Sequence, residues 1–145
     1  MMTEQARPGP VRVRIAVESR SGGQRIGQEA VGDWYAKGGH AYVRYPEPAA
    51  ELGRTTTVIK LETNAVKIIR QGEVRSEQTF IPGKRTIGYY ETAQGKLELA
   101  VNTRSVRSSM RGPNGTALLR YDLEIAGEPA GTYTVKLTIQ EERSI

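Results

Sequence analysis

The residues best equipped for chemistry crowd into one segment. Positions 32 to 47 read Gly-Asp-Trp-Tyr-Ala-Lys-Gly-Gly-His-Ala-Tyr-Val-Arg-Tyr-Pro-Glu, and they hold the only Trp (Trp34), the only His (His40) and three of the seven Tyr. An imidazole among phenols and carboxylates suggests acid–base work, so each mechanism that uses those groups can be tested against the sequence. A Ser/His/Asp site needs its His oriented by a buried acid and touching a hydroxyl. His40 flanks a glycine pair, and the chain has only Asp33 and Asp122 to offer as that acid; nothing in their spacing supports such a site. A zinc centre needs several His or Cys ligands, and one His with no Cys does not supply them. The same lack of Cys leaves no disulfide and no thiolate nucleophile. Gly22-Gly23 and Gly38-Gly39 do not open helices, so neither is a phosphate-binding loop or a dinucleotide fingerprint. Glu is plentiful, but nothing places two carboxylates together. The expectation is a protein without catalytic residues, metal or cofactor.

Along the elements that must hold these residues, the dominant period is two. Val11, Val13, Ile15 and Val17 alternate with Arg12, Arg14 and Ala16. Leu97, Leu99 and Val101 do the same, as do Leu119, Tyr121, Leu123 and Ile125, and Tyr133, Val135, Leu137 and Ile139. Each run has one apolar and one wet face, the pattern of antiparallel strands. Turn residues separate the runs at 21–23, 38–39, 62–64, 71–73, 94–95, 113–115 and 127–129, and Asn114-Gly115 has the composition of a type I′ hairpin turn. The only helical candidate is one turn between Glu47 and Gly53. This spacing predicts about eight to ten strands in an all-β fold. Consecutive hairpins favour an antiparallel, mostly up-and-down barrel whose closure removes exposed edges.

The 145 residues suffice for one domain: residues 1–9 are expected as a disordered tail and 10–145 as a single β-barrel. A net charge of +5 permits attraction to anionic partners, but the cations are spread along the chain. With no apolar run of membrane-spanning length and no signal-peptide pattern at the start, a soluble, cytoplasmic protein is expected.

Several short pieces, in this order, resemble the YwiB-like family of uncharacterised bacterial β-barrel proteins. They are Gly-Asp-Trp-Tyr-Ala-Lys (32–37), Tyr-Val-Arg-Tyr-Pro-Glu (42–47), Thr-Val-Ile-Lys (57–60), Ile-Arg-Gln-Gly (69–72), Phe-Ile-Pro-Gly (80–83), Thr-Ile-Gly-Tyr-Tyr (86–90) and Gly-Lys-Leu-Glu-Leu (95–99). The resemblance extends more loosely to Glu141. It implies a calycin-type, lipocalin-like barrel and carries no established activity, ligand or catalytic residue.

If Gly38-Gly39 is a two-residue turn, Lys37 faces His40 and the strands pair outward from there. Trp34, Val43, Tyr45, Ala36, Ala41 and Gly32 then share an inner face, and Tyr35, Tyr42, Asp33, Arg44, Lys37 and His40 share an outer one. Trp34 is read as core or as a cavity wall; Tyr35 with Tyr42 is read as a cross-strand pair or as a partner's contact. Two charges fall on apolar parity. Glu47 continues the series Val43, Tyr45, and Arg70 continues Val66, Ile68, so both are candidates to point inward near a barrel end. There they form either a polar anchor for a ligand's head group or a strand-end salt bridge, and an inward charge needs a partner.

Two functions are weighed. The first is non-enzymatic binding of a small apolar or amphipathic molecule inside the barrel, with Trp34, Val43, Tyr45, Tyr90, Leu99 and Tyr121 as lining and Glu47 and Arg70 at the mouth. The second is an outer-surface module that binds RNA or a protein through Tyr35, Tyr42 and the cluster Arg104, Arg107, Arg111 and Arg120, for which nucleic acid is the less favoured partner because no RNA-binding signature is present.

Overall fold

The computed structural model describes residues 9–142, so the expected tail lies outside the described residues except for Gly9. The alternating runs form ten antiparallel strands. They are β1 (Val11–Ser21), β2 (Gln24–Lys37), β3 (His40–Pro46), β4 (Thr55–Leu61), β5 (Val66–Gly72), β6 (Arg75–Phe80), β7 (Arg85–Thr92), β8 (Gly95–Arg111), β9 (Asn114–Ile125) and β10 (Glu128–Glu141). Every strand pairs with its sequence neighbours, and β1 pairs with β10, so the meander closes into a barrel. The seam runs from Val13 opposite Glu141 to Arg20 opposite Thr134. Beyond it the Glu142 N–H donates to the Arg12 carbonyl at 2.9 Å. The predicted helical turn is a short 3-10 segment, Ala50–Leu52, between β3 and β4. Among the described residues no helix is long and apolar enough to cross a membrane.

The core is built from the inward parity of each strand, as the period-two rule requires. Val13, Ile15, Val43, Ile59, Val66, Phe80, Leu119, Leu137 and Ile139 are almost fully shielded from solvent. The strands are unequal. β3 to β7 have six to eight residues, whereas β8 has 17 and β2 and β10 have 14 each. The wall formed by β8, β9, β10, β1 and β2 therefore stands taller than the opposite wall. Long strands stay in register with a curved barrel through bulges. One lies between Thr103 and Ser105, the other between Pro129 and Thr132.

The hairpin around Gly38-Gly39 pairs as expected: Lys37 with His40, Tyr35 with Tyr42, Trp34 with Val43, and Asp33 with Arg44. Both glycines have positive φ, 61° and 83°, which a type I′ turn needs. Gly32 is required for a different reason: a Cβ there would lie 2.1 Å from the Arg44 carbonyl oxygen. One expectation is corrected. The β8–β9 turn is Gly112-Pro113, not Asn114-Gly115: Arg111 pairs with Asn114, and both Asn114 and Gly115 belong to β9. Gly112 supplies the positive φ, 57°, and Pro fixes its own φ near the value a turn uses, so this dipeptide displaces the Asn-Gly signal two residues on. Asn114 instead accepts the Glu141 N–H on its Oδ1 at 2.9 Å. Asp33 lies opposite Arg44 on β3 and Arg12 on β1, and its carboxylate meets Arg12 at 3.6 Å.

Candidate functional site

One end of the barrel carries the turns after β1, β5, β7 and β9 and the Ala50–Leu52 loop; the other carries Gly38-Gly39 and Gly112-Pro113. Towards the second end Val13, Val43, Val66 and Ile139 are fully buried. Towards the first end the side chains no longer meet, and a cavity of about 170 Å³ remains. Eight of the ten strands contribute to it. Ile59, Ile68, Phe80, Leu119, Val135 and Leu137 provide much of its apolar wall, while Ser19, Gln28, Tyr45, Arg70, Gln78 and Tyr121 provide its polar groups. Larger recesses lie on the outside of the molecule, among them one of about 490 Å³ across β8, β9, β10 and β1 and one of about 610 Å³ by Gly9, Pro10 and Trp34.

Arg70 and Glu47 meet at the cavity. Register explains it: Tyr45 is opposite Thr57, and Thr57 is opposite Arg70, so these side chains share one rung of the inner face. Glu47, two residues beyond Tyr45, keeps that parity because its N–H bonds to the Thr55 carbonyl at 2.8 Å and prolongs the β3–β4 ladder. Arg70 Nε lies 3.6 Å from Glu47 Oε2; the carboxylate side chain is wholly enclosed, whereas 23% of the Arg70 side chain stays accessible. Each carboxylate oxygen is also hydrogen-bonded. Gln28 Nε2 donates to Oε1 at 3.2 Å, and Thr57 Oγ1 donates to Oε2 at 2.5 Å. Arg70 is less well served: its buried Nε–H meets no acceptor, since 3.6 Å is an ion-pair distance and not a hydrogen bond. Ser76, opposite Arg70 on β6, is likewise buried with an unpartnered hydroxyl.

The phenols report the same environment. Burial pushes the Tyr45 phenol well above its usual range, the Glu47 charge adds to that, and Arg70 pulls the other way. Tyr121 is pushed up to about 12, first by burial and then by Tyr133, with Arg70 again opposing. Its ring touches Phe80 at 4.8 Å between centroids and stacks on Tyr133 at 5.6 Å.

Of the eight residues singled out from the sequence, the structure gathers four. Tyr45, Arg70 and Tyr121 line the cavity, and Glu47 is bound to Arg70 beside it. Trp34 and Val43 belong nearer the other end, where Val43 is fully buried and Trp34 is half-buried against the core, its Nε1 without a partner. Tyr90 is opposite Ser76 and Leu97, and Leu99 is buried between β7 and β9; neither is part of the cavity wall. From the alternating runs of β9 and β10, Leu137 lines the cavity and Leu123 packs on the core. Gln28, Thr57 and Gln78 were not singled out. The signal was present: Gln28 and Gln78 are polar residues on the parity of Gly32 and Phe80, the same criterion that finds Glu47 and Arg70.

On the outside, Tyr35 and Tyr42 stack at 5.2 Å with their planes 6° apart. They lie on β2 and β3. The recess that contains Arg107, with Arg20, Lys136 and Leu118, draws no residue from either strand. Arg104 is engaged by Asp122 at 3.1 Å.

These features define a small closed β-barrel protein with an internal cavity of about 170 Å³ and an ion pair beside it. Residues 11–137 match the domain of unknown function DUF1934, and the chain belongs to that family. The uncharacterized β-barrel protein YwiB of Bacillus subtilis (strain 168) is 27% identical over 137 residues, 94% of this chain and 96% of that protein. The crystal structure of the Bacillus subtilis ywiB protein superposes with a TM-score of 0.82 at 26% identity, covering 92% of this chain and 94% of that one. The resemblance read from the sequence and the closed antiparallel barrel are both borne out.

Proposed function

We propose that the protein binds one small amphipathic molecule in the barrel cavity, without catalysing a reaction on it, and that it does so in the cytoplasm. The observation that carries this reading is the cavity itself, about 170 Å³ of unfilled space closed in by eight strands and bordered by a charged side chain. Protein interiors otherwise pack at crystal-like density, so this space gives a small molecule room inside the barrel. The volume also limits the occupant. An apolar cavity of roughly 150 Å³ admits benzene, which makes a long lipid or a large cofactor too big. Calycin-type barrels offer a precedent for small molecules held inside, as an analogy of fold.

Native mass spectrometry of the purified protein, before and after incubation with a fragment mixture, tests the reading. The expected result is a bound mass that disappears in Ile68→Trp, whose larger side chain occupies the space. Equal binding by the wild type and the filled variant would place the ligand elsewhere and overturn the proposal.

A second reading, an outer surface for a polyanion, draws on the recess bordered by Arg20, Arg107 and Lys136. Arg107 and Lys136 have no acidic partner among the described residues, whereas Arg20 shares Glu18 with Arg25. Binding of single-stranded RNA that weakens steeply with salt would support it.

A further inference from the structure

The identity of the head group follows from which hydrogen bonds the site has left unmade, granted that the cavity is where a ligand binds. We propose that the ligand is uncharged and carries a carbonyl acceptor, of the amide or ketone type, which Arg70 receives.

Acceptors and donors are unequally satisfied around the ion pair. Both oxygens of Glu47 are taken, one by Gln28 and one by Thr57, inside a fully enclosed side chain. Glu47 is thus engaged at both oxygens and set away from the open space. Arg70 is the reverse case. It has five N–H donors in a fixed fork, its Nε–H is buried without an acceptor, and the group borders the cavity. A buried donor left unpaired is unfavourable, so the site gains when a ligand brings an acceptor.

That acceptor could be a carboxylate or a neutral carbonyl, and the charge balance separates them. Arg70 already has its counter-ion in Glu47, 3.6 Å away. A ligand carboxylate would meet the attraction of Arg70 together with the repulsion of Glu47. It would also surrender its own hydration, which a second buried anion regains only with a further cation. Among the described residues the cavity wall contains no cation besides Arg70. A neutral carbonyl accepts from the same guanidinium without burying a second negative charge. The apolar remainder of the ligand rests against Ile68, Phe80 and Leu137, within a volume that suits about six carbons.

Matched probes of one shape test this. Benzamide, benzoate and toluene are titrated into the wild-type protein by calorimetry, and the Arg70 Nε–H resonance is followed by NMR. Benzamide is expected to bind at least tenfold more tightly than benzoate and to shift the Arg70 Nε–H signal, which toluene leaves in place. Arg70→Lys, which keeps the charge and loses the fork, should weaken benzamide about tenfold and leave toluene unchanged. If that variant does not fold, Glu47→Gln/Arg70→Met removes the pair together and serves the same comparison. Tighter binding of benzoate than of benzamide overturns the inference. Binding of toluene alone, insensitive to Arg70, overturns it as well but leaves the cavity reading standing. If none of the three binds, the cavity reading falls with it.

Discussion

Glu47 and Arg70 hold each other in place, and their removal should be felt unequally. Glu47→Ala takes away the enclosed partner and leaves a guanidinium that is mostly buried, so a loss of roughly 2–4 kcal/mol is expected in urea denaturation, with partial recovery in Glu47→Ala/Arg70→Met. Tyr121 gives a pH signature. Its phenol has an ordinary value of 10.0 and is pushed up to about 12 in the fold. From about pH 10 upward the unfolded chain releases this proton while the folded one retains it. Stability should therefore be complete below pH 10 and fall between about pH 10 and pH 12. Tyr121→Phe should fall less steeply across that window, as measured by thermal unfolding at a series of alkaline pH values. The inward direction of both charges was legible in the sequence, because Glu47 and Arg70 sit on apolar parity. Their pairing was not, because they are joined through Thr57 on an intervening strand, and the register of β3 on β4 and of β4 on β5 must be known first. For the same reason parity could place Trp34 and Leu99 inside without saying at which height of the barrel they would lie.

Strands and turns were more legible than the site, since alternation is a local property and a cavity is not. Where turn chemistry competes, locality still misleads: Gly112-Pro113 takes the turn that Asn114-Gly115 advertises. A second turn carries a residue that fits it poorly. Ala126 has φ 51° before Gly127, a left-handed conformation that costs a side chain about 1 kcal/mol. Ala126→Asn supplies the residue that this type of turn prefers and should raise stability by about 0.5–1 kcal/mol, seen as a higher urea midpoint at unchanged slope. The opposite outcome is expected for Gly32→Ala. Its new Cβ would meet the Arg44 carbonyl oxygen at 2.1 Å and the Tyr45 Cβ at 2.7 Å. Backbone in both strands must then separate, and a loss above about 2 kcal/mol is expected. The bulges at 103–105 and 129–132 left no comparable trace in the sequence. They change parity in mid-strand, one of them within the 17 residues of β8.

At the scale of the molecule, the fold depends on a seam between its first and last strands. A version truncated before β10 should show no cooperative unfolding transition, because β1 and β9 would each lose a partner. A circular permutant opened between Gly38 and Gly39, with a flexible linker joining the original ends, should regain the barrel with a thermal midpoint within several degrees of the parent. The two variants together separate the need for the strand from the need for its place in the chain. The seam also sets a timetable for biosynthesis. A chain leaves the ribosome from its N-terminal end at about 5–20 residues per second, so β1 emerges first, and the residues that cover its second edge, Thr134 to Glu141, emerge last. Until then β1 shows a row of unpaired backbone groups to every neighbouring nascent chain. Mispairing is therefore favoured most during translation, in the seconds while β1 waits for the strand that covers it.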